Sequence, residues 1–139
     1  KEHFTVPAGG SEQPASKETI DNGHHYFQMN GPEVYKTAIK VVPKCISEIL
    51  SKNKRHIDEI KFLLPHQPSI KILQEVARRV NMPFEKVKTN MDRYANTSGG
   101  TIPIILDETL RNNELEKGDL LLFAAVGAGW TWGTALYKW

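Results

Sequence analysis

The sequence predicts an α/β domain with helices on both faces of a mixed, mostly parallel sheet. Apolar residues recur at helical spacing over residues 31–51 and 69–80, which indicates two amphipathic helices. Residues 60–64 and 120–126 are short, continuous apolar runs of the kind found in buried parallel strands. Because helical and strand segments alternate along the chain, the helices are expected to connect neighbouring parallel strands.

The composition is that of one globular domain. Of the 139 residues, 40% are hydrophobic and 24% are charged, which suffices for a core. The net charge of +2 is too small to predict nucleic-acid binding, and no apolar run approaches the roughly 20 residues that cross a membrane. The single cysteine, Cys45, excludes an internal disulfide, so a reducing, cytoplasmic location is expected. Lys1 stands where an initiator Met is usual, which predicts an excised fragment of a longer protein.

The first half of the chain is predicted to run from a loop through a long helix into a strand. Residues 7–24 are rich in Gly, Pro, Ser and charge, which is typical of a surface loop. Gly31 then opens the helix that reaches residue 51, with a kink expected at Pro43. The strand lies within residues 57–65 and ends at Pro65.

The second half repeats this alternation. Ser69 is a candidate N-cap for a helix, residues 83–86 form a single turn, and residues 87–93 are predicted as a weak strand. A loop over residues 94–100 enters a third helix that tolerates Pro103 in its first turn. Strands over 120–126 and 130–139 are joined by so few residues that they must be antiparallel. The inward-facing side chains of the two helices are predicted to be Ile70, Leu73, Val76, Ala77 and Val80, and Ile102, Ile105, Leu106 and Leu110.

Two polar residues follow predicted structural elements at positions suited to a site. His66 comes directly after a buried strand, where open α/β sheets place ligand groups, and Asn96 lies in a loop that leads into a helix. A structural role as a turn or cap residue remains an alternative for both. The glycines at 127 and 129 precede a strand, so no helix N-terminus is available for a dinucleotide, and His24, His25 and His56 lack the spacing of a metal site. Cys45 is predicted to be a core residue.

Several segments together resemble the C-terminal half of the β-ketoacyl-acyl-carrier-protein synthase III family. They occur in the family's order: MNGPEVYK at 29–36, PHQ at 65–67, RYANTS at 93–98, GD at 118–119 and GAGWTWG at 127–133. The match runs from about residue 6 to residue 139. It implies a thiolase-like fold, in which two similar α/β halves form five layers and each half has a mixed five-stranded sheet. This chain would be the second half without its first strand.

The resemblance also implies an activity and its residues. In the family a cysteine of the N-terminal half takes an acyl group from acyl-CoA, and malonyl-acyl-carrier protein is decarboxylated and condenses with it to begin fatty acid synthesis. His66 and Asn96 would complete a Cys-His-Asn triad and stabilise the enolate. The backbone N–H of Ala128 would belong to the oxyanion hole for acyl transfer. No cofactor or metal is implied, and the chain alone is predicted to be inactive because the nucleophile lies upstream.

Binding residues follow from the same resemblance. Gly31, Pro68 and Ser69 fall at pantetheine-binding positions, although the usual His-Gln-Ala-Asn reads His-Gln-Pro-Ser here. Ala95 replaces a usual Gly, and Val126 a frequent Phe. The expected partners are acyl carrier protein, acyl-CoA, the chain's own N-terminal half and a second copy in a homodimer. Basic positions that would dock the carrier protein are Lys36, Lys71, Arg78 and Arg79.

Two alternatives to this reading remain. One is a related acyltransferase of secondary metabolism, which the departures at Pro68, Ser69 and Val126 keep open. The other is a non-catalytic partner subunit, which the presence of both His66 and Asn96 disfavours.

Overall fold

The structure, a computed structural model, describes residues 3–139. Helices and strands alternate along the chain, with short 3₁₀ turns between some of them. In order they are β1 (Phe4–Thr5), α1 (Lys17–Asp21), β2 (Gln28–Met29), α2 (Gly31–Lys52), β3 (Ile60–Pro65), α3 (Ile70–Arg79), α4 (Met91–Tyr94), α5 (Thr101–Arg111), β4 (Leu120–Gly127) and β5 (Thr131–Lys138).

The main sheet has the strand order β3-β4-β5. Strands β3 and β4 are parallel, with Leu63 opposite Leu122, and β4 and β5 are antiparallel along all eight residues of each. Val87 adds a single parallel bridge to Leu63 on the outer edge of β3. The predicted antiparallel last strand is therefore confirmed, because three residues cannot carry a parallel crossover.

Helices cover both faces of this sheet, as predicted. Leu63 and Leu122 point to one face and join a large cluster built by α2 and α3. Leu64 and Leu121 point to the other face and pack with Ile105 of α5. This division follows from the strand geometry, since successive side chains of a strand face opposite sides.

The two long helices begin where the sequence indicates. The Asn30 side chain accepts a hydrogen bond from Glu33 N at 3.3 Å at the start of α2, and Ser69 Oγ accepts one from Ile72 N at 3.3 Å at the start of α3. Pro43 lies buried within α2, which continues to Lys52. The predicted stripe of α3 is wrong at Ile70, which is exposed, whereas Ile72 is buried because it lies four residues before Val76 on the packed face.

Three other local predictions are wrong. The presumed loop over 7–24 contains α1, which Ser16 caps by accepting from Thr19 N at 3.2 Å, while Thr19 Oγ1 accepts from Ser16 N at 2.8 Å. Of the weak strand predicted over 87–93, only the single bridge at Val87 is present, and α4 follows it. Polar side-chain contacts hold this segment in place of strand pairing. On α5, Leu110 is exposed and Thr109 is buried instead.

The pairing of β1 with β2 in a small antiparallel ribbon was not predicted. Phe4 pairs with Met29 in its register. The Phe4 ring also contacts Phe27, with centroids 4.5 Å apart, and Trp130 in the turn before β5, with centroids 6.4 Å apart. The ribbon is thus tied to the β4–β5 turn. Between residues 3 and 139, no helix is both long and apolar enough to cross a bilayer.

Candidate functional site

The site lies at the carboxyl ends of β3 and β4. His66 follows the last residue of β3, and its backbone N–H donates to Ala124 O at 2.8 Å, which continues the parallel pairing of Pro65 with Ala124. The main chain of His66 is therefore fixed by the sheet, while its ring is half-buried. Carboxyl ends of parallel strands are where open sheets bind ligands.

The ring of His66 contacts the loop before α5. Its Nδ1 lies 2.8 Å from Thr101 Oγ1, and that oxygen lies 2.9 Å from Ser98 O. Burial lowers the pKa of the His66 imidazole, and the nearby backbone carbonyl of Ser98 partly opposes this shift. Burial therefore favours the neutral form of the ring.

Asn96 is held by its own loop and has a free donor. Its Oδ1 accepts from Ser98 N at 2.9 Å, which forms an Asx turn. The side chain is exposed, and within residues 3–139 its Nδ2 group makes no hydrogen bond. Hydrogen bonds through Ser98 and Thr101 link Asn96 to His66, so the structure joins these two predicted residues in one network.

The loop that carries Asn96 is anchored by buried amides. Gln67 is fully buried, donates to Pro65 O at 2.9 Å and Lys88 O at 3.1 Å, and accepts from Asn90 N at 3.3 Å. Asn90 in turn donates to Glu108 Oε2 of α5 at 2.7 Å. Together, the hydrogen bonds of Gln67 and Asn90 hold the segment between β3 and α5 in place.

Glu108 completes this anchor. Besides Asn90, it binds the guanidinium of Arg93 on α4. The hydrogen bond from Asn90 and then the bonds from Arg93 lower the pKa of Glu108 and keep it ionised. Sequence reasoning missed Gln67, Asn90, Thr101 and Glu108. Only Gln67 had a signal, as the polar residue next to His66 at the end of an apolar strand.

Ala128 lies further along the same edge. Strand β4 runs three residues beyond Ala124 to Gly127, and Ala128 starts the turn into β5. Ala128 is exposed, and its carbonyl accepts from Thr131 Oγ1 at 3.4 Å. In the described part of the chain no hydrogen bond joins Ala128 to His66 or Asn96.

The predicted pantetheine positions are split between two places. Pro68 and Ser69 are half-buried and directly follow the His66 strand end. The Ser69 hydroxyl oxygen already caps α3, which leaves its proton available to a ligand. Gly31 opens α2, and open space surrounds the position of a Cβ there. No described hydrogen bond connects Gly31 with the other two residues.

The predicted basic face contains an acidic residue. Glu75 lies four residues after Lys71 and three before Arg78, so helical spacing places it between them. It binds Arg78 through both oxygens at 2.8 Å and Arg79 Nε at 2.6 Å. Arg79 also donates to Ile39 O of α2 at 3.0 Å, so it is a structural contact as well as a charge.

Lys36 and Lys71 differ in their partners. Lys36 pairs with Glu33 at 2.7 Å. Lys71 is exposed and makes no ion pair with any residue from 3 to 139. Of the four predicted docking residues, Lys71 therefore presents the least compensated charge.

Cys45 and the remaining histidines stand apart from the site. Cys45 is half-buried on α2, so it is less enclosed than predicted. It lies beside the edge strand β5, and its backbone carbonyl accepts a hydrogen bond from Thr134 Oγ1 at 3.3 Å. Burial raises the pKa of its thiol. His56 pairs with Asp58 at 2.9 Å, and His24 with Gln13 at 3.3 Å. Across residues 3–139, no three His, Cys, Asp or Glu side chains are grouped so as to hold a metal ion.

Comparison with known proteins gives a consistent result. The sequence profile of the family described as 3-oxoacyl-[acyl-carrier-protein (ACP)] synthase III C terminal matches residues 50–139. The chain is 43% identical over its whole length to a β-ketoacyl-[acyl-carrier-protein] synthase III of Porphyromonas gingivalis, of which it covers 41%. It is 40% identical, over 99% of its length, to that of Symbiobacterium thermophilum, of which it covers 42%.

Solved structures of the same kind of protein share the fold. A 3-oxoacyl-(acyl carrier protein) synthase III of Pseudomonas aeruginosa superposes with a TM-score of 0.86 at 27% identity, over 99% of this chain and 41% of that one. That of Aquifex aeolicus gives 0.81 at 36% identity, over 83% of this chain and 37% of that one.

The predicted fold class is thereby confirmed as the C-terminal part of a thiolase-like fold. The chain spans about two fifths of the length of the curated relatives that it matches. The motifs at 65–67, 93–98 and 127–133 all lie inside the matched region. The first and third follow the paired carboxyl ends of β3 and β4, and hydrogen bonds through Thr101 and Ser98 link the first to the second. With a family profile that covers residues 50–139, this chain belongs to the 3-oxoacyl-[acyl-carrier-protein] synthase III C-terminal family.

Proposed function

We propose that this chain is the C-terminal catalytic part of a condensing enzyme that starts fatty acid synthesis. The reaction is a decarboxylative Claisen condensation of an acyl-CoA with malonyl-acyl-carrier protein. The observation that carries this proposal is the network from His66 through Thr101 and Ser98 to Asn96, at the carboxyl ends of β3 and β4. The names of the relatives at about 40% identity support the same reaction.

The chemistry requires hydrogen-bond donors without a competing negative charge. When the malonyl thioester loses CO₂, the electron pair of the broken C–C bond moves into an enolate, and negative charge develops on the thioester oxygen. The free Nδ2 group of Asn96 is a neutral donor for that oxygen, and the His66 ring faces the same edge. Removal of one such donor typically costs about 10²–10³ in rate.

The enolate carbon then attacks the acyl thioester on the enzyme, and the cysteine thiolate leaves. We place that cysteine in the N-terminal half of the complete protein, since Cys45 is half-buried on α2 and lies under β5. The backbone N–H of Ala128 is proposed as one donor to the oxyanion formed during acyl transfer. Both substrates are thioesters, and neither step calls for a metal or a cofactor.

Substrate binding is assigned to two surfaces. Gly31, Pro68 and Ser69 are proposed to contact the pantetheine arm. The carrier protein, which is acidic, is proposed to dock on the face made by Lys36, Lys71, Arg78 and Arg79. Because Glu75 neutralises part of this charge, Lys71 is expected to contribute most to steering.

The complete protein is proposed to be a homodimer in which each N-terminal half covers the site described here. A cytoplasmic location is proposed because a thiol nucleophile needs a reducing compartment. A non-catalytic role is disfavoured, since His66 and Asn96 are both present and are joined by hydrogen bonds.

The test is the condensation reaction of the full-length protein. Purified enzyme is incubated with an acyl-CoA and malonyl-acyl-carrier protein, and CO₂ release and 3-oxoacyl-carrier protein are measured together. Stoichiometric formation of both products is expected. CO₂ release without a condensed product, or acyl transfer to an acceptor other than the carrier protein, would overturn the proposal.

A further inference from the structure

The β1–β2 ribbon is fixed at its base to the start of α2. Phe4 pairs with Met29, and the N–H of Asn30 donates to His3 O at 2.9 Å, which extends the ribbon by one more backbone hydrogen bond. The Asn30 side chain also caps α2 by accepting from Glu33 N. The ribbon therefore continues directly into a 22-residue helix whose inner face lies in the main core.

The rings of the ribbon reach the turn between β4 and β5. The Phe4 ring lies edge-on to Phe27, with centroids 4.5 Å apart and planes at 86°, and its centroid lies 6.4 Å from that of Trp130. Both separations fall in the range of about 4.5–7 Å over which aromatic rings attract each other. Phe4 is thus the link between the ribbon and the turn.

The turn is weakly constrained by its own residues. It consists of Ala128, Gly129 and Trp130, and Gly129 has φ 137°, in the region that glycine adopts at little cost. The hydrogen bond from Thr131 Oγ1 to Ala128 O is long, at 3.4 Å. Trp130 is the one large side chain of this turn, and it is half-buried. Its contact with Phe4 therefore restrains a backbone that would otherwise vary.

The direction of the Ala128 N–H matters for acyl transfer. In that step the cysteine sulfur of the N-terminal half forms a bond to the acyl carbon, and the carbonyl π electrons move onto the oxygen. The bond to the coenzyme A sulfur then breaks, and the leaving thiolate keeps its electron pair and takes up the proton that the cysteine lost. A donor stabilises the oxyanion only when it is aimed at that oxygen, and a misplacement of about 1 Å can cost about 10² in rate.

We propose that Phe4 is a positioning residue that, through Trp130, holds the Ala128 N–H in the direction that the oxyanion requires. The inference rests on the proposed function, since it takes Ala128 as an oxyanion donor. Its effect is confined to the steps that form a tetrahedral oxyanion. Decarboxylation is assigned to His66 and Asn96, and no hydrogen bond within residues 3–139 joins these two side chains to the turn.

The first test does not depend on activity. Hydrogen exchange of the full-length protein is followed by mass spectrometry on a peptide that spans residues 126–132. Phe4→Ala is expected to speed exchange of the turn amides about two- to tenfold, since an aromatic pair contributes a free energy of that size. Phe4→Tyr keeps the ring and should exchange like the wild type. The matched control is Tyr137→Ala, which removes one ring of the Tyr137–Trp139 pair near the other end of β5 and should leave the turn unchanged.

A kinetic test separates positioning from general damage. Acetyl-CoA is the acyl donor, because its single methyl group offers the smallest contact to any side chain. In Phe4→Ala the KM for acetyl-CoA should stay unchanged while acylation of the enzyme slows about tenfold, which is part of the loss of about 10²–10³ for a donor removed outright. Release of CO₂ from malonyl-carrier protein should fall much less. Phe27→Leu, which keeps an apolar contact to Phe4, is the milder variant and should lie between Phe4→Ala and the wild type in both assays.

Several outcomes overturn the inference. Turn exchange in Phe4→Ala equal to that of the wild type would show that the ring does not restrain the turn. Faster exchange with unchanged acylation, or equal losses of acylation and CO₂ release, would remove the positioning role. A loss of acylation with longer acyl-CoA but not with acetyl-CoA would mean that Phe4 contacts the acyl chain instead. If the wild type neither becomes acylated nor condenses, the proposed function fails, whereas the exchange result still decides whether Phe4 holds the turn.

Discussion

Both carboxylate oxygens of Glu75 accept hydrogen bonds from the guanidinium of Arg78, each 2.8 Å from a nitrogen. The same carboxylate binds Arg79. The hydrogen bonds from Arg78 and Arg79 lower the pKa of Glu75 to about 2, so it stays ionised under all physiological conditions. The proposed docking face is therefore less positive than its basic residues alone suggest.

Replacing Glu75 with Gln should strengthen binding of an acidic carrier protein. The substitution releases the charges of Arg78 and Arg79 while it keeps the size of the side chain. We expect the association rate to rise roughly two- to fivefold at low salt and to converge with the wild type at high salt. Stopped-flow binding of carrier protein over a range of ionic strength measures this.

Lys71→Glu is the opposing variant and should slow association in the same assay. Lys52→Glu is the matched control, because it makes the same charge change at the far end of α2, 16 residues and so about 24 Å from Lys36. If Lys71→Glu and Lys52→Glu have equal effects, net charge matters and this face does not.

His66→Ala and Asn96→Ala in the full-length protein should each lose decarboxylation by about 100-fold or more. The reason is that each removes a side chain that is proposed to donate to the developing enolate. Release of labelled CO₂ from malonyl-carrier protein is the readout. Tyr137→Phe, an exposed position on β5, is the control and should retain turnover. Wild-type decarboxylation by either alanine variant would remove that residue from the mechanism.

The His66 ring should titrate below its ordinary pKa of 6.5, since burial disfavours the charged form. The unfolded chain then binds more protons than the folded chain as pH falls through 6.5. The stability that His66 contributes is therefore complete above pH 6.5 and is lost as pH falls towards the folded pKa.

An NMR titration of the His66 ring measures the shift directly. The difference in unfolding free energy between wild type and His66→Gln should also shrink as pH drops below 6.5. A midpoint above 6.5 would contradict the effect of burial.

Ala95→Gly should stabilise the protein by about 1 kcal/mol. Ala95 has φ 53° and ψ −146°, a conformation that a Cβ disfavours and that glycine adopts freely. The measurement is the midpoint of urea unfolding at constant m-value. Ala135→Gly on the exposed face of β5 is the control and should destabilise, because glycine weakens a strand. A loss of stability in Ala95→Gly would show that the loop relaxes this residue in solution.

The 139-residue chain alone should not form 3-oxoacyl products, and Cys45 should react slowly. Burial raises the pKa of this thiol, so little thiolate is present at neutral pH. Alkylation by iodoacetamide should be slower in the folded chain than in denaturant. Acylation of Cys45 by labelled acyl-CoA would place a nucleophile within these residues. That result would contradict the proposal that the nucleophilic cysteine lies in the N-terminal half.

Periodic patterns allowed the main layers to be predicted, because burial imposes them locally. The helices α2 and α3, the strands β3 to β5 and the relative directions of those strands all followed from apolar spacing and connection length. Errors arose where packing at an element's end depends on the rest of the fold. Ile70 fits the helical period of α3, yet it is exposed at the first turn while Ile72 is buried.

The site was predictable only in part for a similar reason. His66 and Asn96 were found because they belong to motifs. Thr101 lies 35 residues from the ring that it binds, and Glu108 lies 18 residues from Asn90. Such distant pairs leave no periodic pattern in the sequence. Glu75 was overlooked for a different reason, because only the basic residues of α3 were considered and not the acidic residue that lies between them.

The pairing of β3 with β4 has a consequence for how this polypeptide folds. Leu63 meets Leu122, 59 positions later, whereas β4 and β5 are joined by three residues. Hairpins form within about 1–10 μs, but closing a long loop carries a larger entropic barrier, so the parallel pair is expected to form late. An intermediate with the hairpin formed and β3 undocked would show strand signals in circular dichroism while the His66 amide still exchanges freely with solvent. Pulse-labelling hydrogen exchange would reveal this as a lag between protection of the β4–β5 amides and protection of the His66 amide.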